Sequence, residues 1–121
     1  MYLAPSASVR QGHVTAGVLK GMAIPRSPMT DIEEKTNRYE RLLAEALNEA
    51  TVAPPEETPL AEAAAEYEEM ARSYLEDGRH FRNEGDLPNA LAAFSYGHAW
   101  LDAGARAGLF DVPTEGHLFT I

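Results

Sequence analysis

The sequence contains no cysteine, and this absence removes several kinds of chemistry at once. Without thiols the chain has no disulfide framework, no thiolate metal site and no cysteine nucleophile. Its apolar stretches are all far shorter than the ~18 residues that a membrane span requires. We therefore expect a cytoplasmic protein whose 121 residues form one small domain.

Basic residues are scarce, and they are unevenly distributed. Residues 29–121 hold all 19 acidic residues but only seven of the ten basic ones, a net charge of −12, and their single lysine is Lys35. Such a surface repels nucleic acid backbones and anionic membranes, so neither is expected as a partner. An acid-rich, lysine-poor surface is also typical of salt-loaded cytoplasms, where salt screens the repulsion between carboxylates. The composition predicts a halophilic origin, with an ordinary acidic mesophilic protein as the alternative.

Residues 1–28 lack acidic residues and show no sustained helical or alternating period. Their scattered basic residues and the lack of a signal-length apolar core argue against a targeting peptide. The composition changes at Met29, and the "TDIE" that follows has the spacing of a capping box, with Thr30 as N-cap and Glu33 at the third helical position. We expect residues 1–28 to be a disordered extension or a wrongly assigned start, and residues 29–121 to form the domain.

Three apolar stripes of helical period predict an all-α protein, an antiparallel up-down-up three-helix bundle. The predicted helices cover about residues 31–50, 59–84 and 87–107, and a short C-terminal tail follows. The apolar stripe of the first helix consists of Ile32, Tyr39, Leu42, Leu43, Ala46, Leu47 and Ala50. The stripe of the second consists of Leu60, Ala63, Ala64, Tyr67, Met70, Ala71, Tyr74, Gly78 and Phe81, while Glu66 and Glu69 belong to a solvated acidic face. A domain of this size buries only about 60–65% of its surface. We therefore expect Leu118 and Phe119 of the tail to pack on the bundle or to join a dimer.

The third helix is apolar on most sides, which is typical of the central helix of a small bundle. Gly97 and Gly104 lie seven residues apart and permit close approach of a neighbouring helix. Thr58 and Asp86 are predicted N-caps, and Gly108 suits the left-handed position that ends a helix.

The polar residues of the third helix, Ser95, His98, Asp102 and Arg106, step by three, four and four and form one ridge. At this spacing Asp102 can hold the imidazole of His98 and can pair with Arg106. The ridge fits a general acid/base pair or half of a metal site. It also fits a solvated strip that brings an otherwise apolar helix into contact with water.

Two aromatic clusters add further candidates. Tyr96 and Trp100 lie one turn apart, either as core residues or as a surface pair that anchors a partner protein. Tyr74, Asp77 and His80 form a similar cluster on the second helix. Asp77 stands where a leucine would pack better, so we expect it to pair with a group on the third helix or to serve recognition.

Two family resemblances lie in the second and third helices. The stretch "SYLEDGRHFRNEGDLPNALAAFSYGHAWLDAGARAGLF", residues 73–110, resembles the short archaeal family called domain of unknown function 357, above all in "SYGHAWLDAG" and "GLF". This resemblance implies a three-helix bundle in an archaeal cytoplasm and carries no known activity or catalytic residue. The same helices resemble a single tetratricopeptide hairpin. Because such solenoids need about three repeats, that likeness implies only a tight antiparallel pair.

The sequence offers no phosphate-binding glycine loop and no nucleophile elbow, so we expect no catalytic residue, cofactor or metal. The favoured function is a non-enzymatic interaction module that docks on a protein partner or on itself as a homodimer. The alternative is a small-ligand or metal-dependent activity centred on His98 and Asp102. Convergence of His98, Asp102, Asp77 and Tyr74 on one pocket would favour the alternative.

Overall fold

The computed structural model describes residues 28–120, which form three packed helices. These are α1 (Pro28–Glu49), α2 (Pro59–Asn83) and α3 (Leu87–Arg106). The predicted all-α three-helix bundle is confirmed. The extension expected before Met29 lies almost entirely outside the described residues. Among those described, no helix combines the length and apolar character that crossing a membrane would demand.

The first helix begins at Pro28, three residues earlier than predicted. Thr30 therefore lies inside the helix, and the prediction that it is the N-cap is wrong. A proline suits the first turn because its missing N–H would have no helical partner there. Within α1, Leu43 and Ala46 are fully buried as expected, and so is Thr36, which the apolar stripe did not include. The Thr36 hydroxyl has no hydrogen-bond partner among the described residues.

The predicted caps of α2 and α3 are present. The backbone N–H of Ala61 donates to the Thr58 hydroxyl over 3.2 Å, and that of Asn89 donates to an Asp86 carboxylate oxygen over 3.2 Å. At the end of α3, Gly108 has a φ of 83°, which favours glycine. The N–H of the following residue, Leu109, donates to the carbonyl of Gly104 over 2.8 Å and closes a Schellman motif.

The third helix lies at the centre, as predicted. Phe94 and Leu101 are fully buried on it. A Cβ added at Gly97 would lie 2.7 Å from Leu43 Cδ2 and 3.1 Å from the carbonyl oxygen of Ala71. Both neighbouring helices therefore approach α3 at a point where no side chain fits.

The apolar stripe of α2 predicts its buried residues only in part. Leu75 is buried although it was not assigned to the stripe. Leu60 and Met70, which were assigned to it, are 60% and 37% exposed. The buried strip of α2 is therefore narrower than its apolar stripe, and large apolar side chains remain at the surface.

A charged cluster joins α1 to α2. Glu40 on α1 accepts from Arg79 Nε over 2.6 Å and from the guanidinium of Arg82, and its side chain is only 14% exposed. Arg82 also donates to the amide oxygen of Asn37 over 3.4 Å. The two arginines nearest the end of α2 are therefore both bound to Glu40 of α1.

A short strand pair that the sequence did not predict closes one end of the bundle. Strand β1 (Thr51–Val52) pairs antiparallel with β2 (Phe110–Asp111). The N–H of Ala53 donates to the carbonyl of Leu109 over 2.9 Å and extends the ladder. Two residues per strand are too few to show an alternating pattern. The pair ties the proline-rich α1–α2 connection to the exit of α3.

The tail packs on the bundle, one of the two outcomes expected for it. Phe119 is only 8% exposed and belongs to the core cluster. Leu118 is partly buried against the same cluster. The chain therefore returns along α3 after the strand pair.

Candidate functional site

The polar ridge of α3 (Ser95, His98, Asp102 and Arg106), called the tail ridge below, lies against the C-terminal tail. His98 Nε2 lies 2.5 Å from the carbonyl oxygen of Leu118 and donates to it, because a carbonyl can only accept. The imidazole also lies 5.9 Å from the ring of Phe119, centroid to centroid. His98 Nδ1 is 3.9 Å from Asp102, too far for a hydrogen bond. His98 thus binds the tail more closely than it binds its neighbour on the helix.

Asp102 and Arg106 bind Thr120 rather than each other. The N–H and hydroxyl of Thr120 donate to the two carboxylate oxygens of Asp102 over 3.1 and 3.0 Å. Arg106 Nη2 donates to the carbonyl and hydroxyl oxygens of Thr120 over 2.9 and 3.0 Å. The solvated strip, one of the two interpretations of this ridge, describes Arg106, which is exposed, but not His98 and Asp102, whose side chains are only 20% and 19% exposed.

A depression of about 230 Å³ lies beside the tail ridge. It is lined by Tyr39, Leu42, Ser95, His98, Asp102, His117 and Thr120. Within residues 31–120, no group of three or more His, Cys, Asp or Glu side chains is arranged to hold a metal ion. His98 Nε2 and both carboxylate oxygens of Asp102 are already engaged by the tail. This arrangement fastens the tail to α3.

Another side of α3 forms a groove with α2, called the aromatic groove below. Its volume is about 420 Å³, and it is lined by Tyr67, Tyr74, Tyr96, Ala99, Trp100 and Ala103. The four rings form two edge-to-face pairs: Tyr67 with Trp100 at 5.0 Å and Tyr74 with Tyr96 at 5.6 Å between centroids. All four aromatic side chains are partly exposed. The exposed methyl groups of the two alanines leave the groove open to solvent.

Helix geometry explains how the aromatic groove is assembled. Tyr67 and Tyr74 lie seven residues apart, about two turns, on the same side of α2. Tyr96 and Trp100 lie one turn apart on α3. Because the two helices run antiparallel, the earlier tyrosine of α2 meets the later aromatic of α3. Each pair gains edge-to-face contact in addition to its buried area.

A second depression, of about 520 Å³, adjoins the aromatic groove and shares Tyr67 and Trp100 with it. Glu66, Glu69, Met70 and Ser73 complete its lining, and it is called the acidic depression below. In the described part of the chain, neither of these glutamates forms an ion pair. Tryptophan and tyrosine rings therefore stand beside carboxylates that lack a cation.

The basic side chains of α2 are all engaged elsewhere. Arg72 pairs with Glu68 over 3.1 Å, and His80 lies 3.2 Å from Glu84. The other two arginines of the helix bind Glu40 on α1. The acidic character of the depression is thus not neutralised by its own helix.

The structure divides the candidate residues among three places. The aromatic groove contains Tyr74, Tyr96 and Trp100, while the tail ridge contains His98, Asp102 and Arg106. Asp77 and His80 are exposed on α2 and lie in neither place. Of the two roles expected for Asp77, pairing with a group on α3 is not formed, because its side chain has no partner within the described residues; a role in recognition stays a prediction.

The predicted cluster of Tyr74, Asp77 and His80 is therefore divided between the groove and open surface. Likewise, His98, Asp102, Asp77 and Tyr74 do not converge on one pocket. Their spacing along two helices was compatible with convergence, but the rotation of each helix about its axis decided otherwise.

The sequence placed Tyr67 and Met70 in the buried stripe of α2. Tyr67 does pack against the core, although it stays partly exposed, whereas Met70 is 37% exposed. The sequence feature that indicates partial exposure is the width of the apolar stripe of α2. Large side chains at positions 67, 70 and 74 exceed what a helix flanking a small bundle can bury. Glu66 and Glu69, which were interpreted as part of a solvated acidic face, stand directly beside them.

Comparison with known proteins identifies the family. A family model described as "Protein of unknown function (DUF357)" matches residues 38–110, more than half of the chain. The chain belongs to this family, and the match includes every residue of the aromatic groove and of the tail ridge. No curated protein and no solved structure matches the chain significantly. The likeness to a tetratricopeptide hairpin stays a prediction.

Proposed function

We propose that this member of the DUF357 family is a non-enzymatic protein-docking module and that the aromatic groove is its docking surface. One observation carries the proposal: four partly exposed aromatic side chains line a groove that the described chain does not cover. Tyrosine and tryptophan are enriched at protein interfaces because they give a large contact area and retain a polar group for hydrogen bonding.

The contrast with the tail ridge supports this choice. The tail binds His98 Nε2 and both carboxylate oxygens of Asp102 through Leu118 and Thr120. A small-ligand or metal-dependent activity centred on those two residues would compete with the tail for these atoms. No described segment competes for the groove, so it is the better supported surface.

The occupant is proposed to be a different protein rather than a second copy. A twofold homodimer that joins two grooves would place the same patch on both sides of the interface. Glu66 and Glu69 of each copy would then be buried against an equally acidic surface, where salt screens charges least, and their repulsion opposes association. A partner of different charge meets no such penalty.

The setting is proposed to be the salt-rich cytoplasm of an archaeon. The net charge of −12 over residues 29–121 and their single lysine support this. Self-repulsion should destabilise the bundle at low ionic strength, and salt should relieve it. The helical circular dichroism signal should therefore persist to a higher temperature in molar KCl than in dilute buffer. Equal melting temperatures in the two buffers would contradict the halophilic part of the proposal.

Site-directed photo-crosslinking tests the docking surface. A photoreactive amino acid replaces Ala99, which is exposed and lines the groove, and in a control chain it replaces Glu33, which is exposed on α1. Each full-length chain is irradiated with native cell extract at native salt. Adducts are identified by mass spectrometry, and the complex is then rebuilt from purified proteins.

We expect one discrete adduct from position 99, none from position 33, and loss of the adduct when Trp100→Ala is added. The matched variant Trp100→Phe, which keeps an aromatic ring in the groove, should retain most of the adduct. An adduct formed equally from both positions, or one that persists after Trp100→Ala, would show that the partner docks elsewhere.

A further inference from the structure

We propose, on the basis of the docking function above, that the partner presents a basic amphipathic segment. In this arrangement an apolar side chain enters the aromatic groove, and an adjacent arginine or lysine lies over Tyr67 and Trp100 between the glutamates of the acidic depression. The two depressions share these rings, so one short segment can reach both.

The charge argument begins with the acidic depression. Glu66 and Glu69 lie three residues apart on α2 and therefore share one side of the helix. Every basic side chain of α2 is already paired with another carboxylate. These two exposed glutamates are therefore balanced by water and mobile salt ions, which a basic side chain of a docking partner can displace.

The aromatic argument points to the same chemistry. A guanidinium or ammonium group is attracted to the face of tryptophan or tyrosine, and tryptophan gives the strongest contact. Here both ring types stand next to carboxylates, so one cation gains a ring and an ion pair together. Arginine suits the position better than lysine, because its planar group stacks on rings and donates to a carboxylate through two N–H groups.

The apolar part of the segment follows from the other depression. Aromatic side chains and the methyl groups of Ala99 and Ala103 line the aromatic groove. Its volume of about 420 Å³ accommodates a leucine- or phenylalanine-sized side chain. An apolar residue one helical turn from an arginine matches the two adjoining depressions.

The test uses two synthetic helix-forming peptides of equal length with the full-length chain. One peptide carries leucine and arginine one turn apart, and the other replaces each arginine by citrulline, which has nearly the same shape and no charge. Binding is followed by the fluorescence of Trp100, the single tryptophan of the chain, and by calorimetry. We expect the arginine peptide to bind at least about tenfold more tightly than the citrulline peptide.

A pair of double variants separates local recognition from general attraction to an acidic protein. Glu66→Gln with Glu69→Gln should weaken the arginine peptide at least about tenfold. The control, Glu76→Gln with Asp77→Asn, removes the same charge from exposed positions of α2 that line neither depression. It should weaken binding less than about twofold, the effect expected for distant, screened charges.

Four outcomes would overturn the inference. One is that both peptides bind with equal affinity and that Trp100→Ala abolishes the binding of both. That result would support the groove as a docking surface and exclude recognition of a cation. Equal weakening of peptide binding by the two double variants would show that the attraction depends only on the net charge of the protein. Failure of the arginine peptide to bind, or concentration-dependent dimerisation that Trp100→Ala abolishes, would exclude a basic partner segment. The adduct from position 99 is measured independently, so the docking function can survive any of the first three results.

Discussion

Two sides of the same helix have different roles in this bundle. The tail ridge of α3 is rich in polar atoms, yet Leu118 and Thr120 engage those of His98 and Asp102. The aromatic side, with Tyr96 and Trp100, is rich in apolar area, yet it remains partly exposed. The polar groups that resemble an active site therefore fasten the tail to α3, and the rings that resemble core stay partly exposed beside it.

The two sides differ because only the ridge is covered by the tail. The backbone of a tail that packs on a bundle carries N–H and C=O groups that require hydrogen-bond partners. A ridge of His, Asp and Arg supplies donors and acceptors at the spacing of helical turns. The aromatic side has no such backbone to satisfy, and contact between α2 and α3 covers only part of its rings.

The largest expected effect is the loss of stability when the tail can no longer pack on the bundle. Phe119→Ala should reduce the free energy of unfolding by about 3 kcal/mol, because it removes a core side chain that is only 8% exposed. Urea denaturation followed by circular dichroism measures the change. The control Leu60→Ala, at a position that is 60% exposed, should change stability by less than about 0.5 kcal/mol. A loss below about 1 kcal/mol for Phe119→Ala would mean that the tail contributes little to the fold.

A matched pair of leucine substitutions on α3 sharpens the comparison. Gly97→Leu should cost about 1–3 kcal/mol, since its Cβ would already crowd Leu43 and the backbone of Ala71. Ala99→Leu, two residues further, adds bulk inside the open groove and should leave stability within about 0.5 kcal/mol. It should nevertheless block the partner, as judged by calorimetry. Tolerance of Gly97→Leu without loss of stability would refute the central position of α3.

A smaller effect is expected for the hydrogen bonds of the tail ridge. Asp102→Ala should cost about 1 kcal/mol, because it leaves the N–H and hydroxyl of Thr120 without their acceptor. Asp102→Asn keeps one acceptor and should cost about half as much. Amide hydrogen exchange at Thr120 reports the change locally, and partner binding should be unaffected. Loss of partner binding with intact tail protection would instead place the functional site on the ridge.

The helix ends were predictable because their signals are local. Thr58 and Asp86 accept from N–H groups three residues ahead, and Gly108 occupies the left-handed position that follows α3. Such features depend on a few adjacent residues, and so does the apolar period that placed α3 at the centre. The family resemblance in residues 73–110 was likewise contained in one continuous stretch, and the family model confirmed it.

The site was less predictable because its contacts are distant in sequence. The acceptor for His98 is a backbone carbonyl 20 residues away, and a carbonyl has no signature in the sequence. The exposure of Tyr67 depends on how far α2 rotates about its axis, which packing decides. The strand pair joins segments about 60 residues apart with two residues each, too short for any periodic pattern.

The most direct test of the central claim is a chemical-shift map of the full chain with its crosslinked partner, rebuilt from purified proteins. The proposed docking surface predicts that the largest amide shifts surround Tyr67, Tyr74, Tyr96 and Trp100, while the amide of Thr120 keeps its position. The opposite pattern, with shifts centred on His98, Asp102 and a displaced tail, would contradict the account and make the ridge the functional surface.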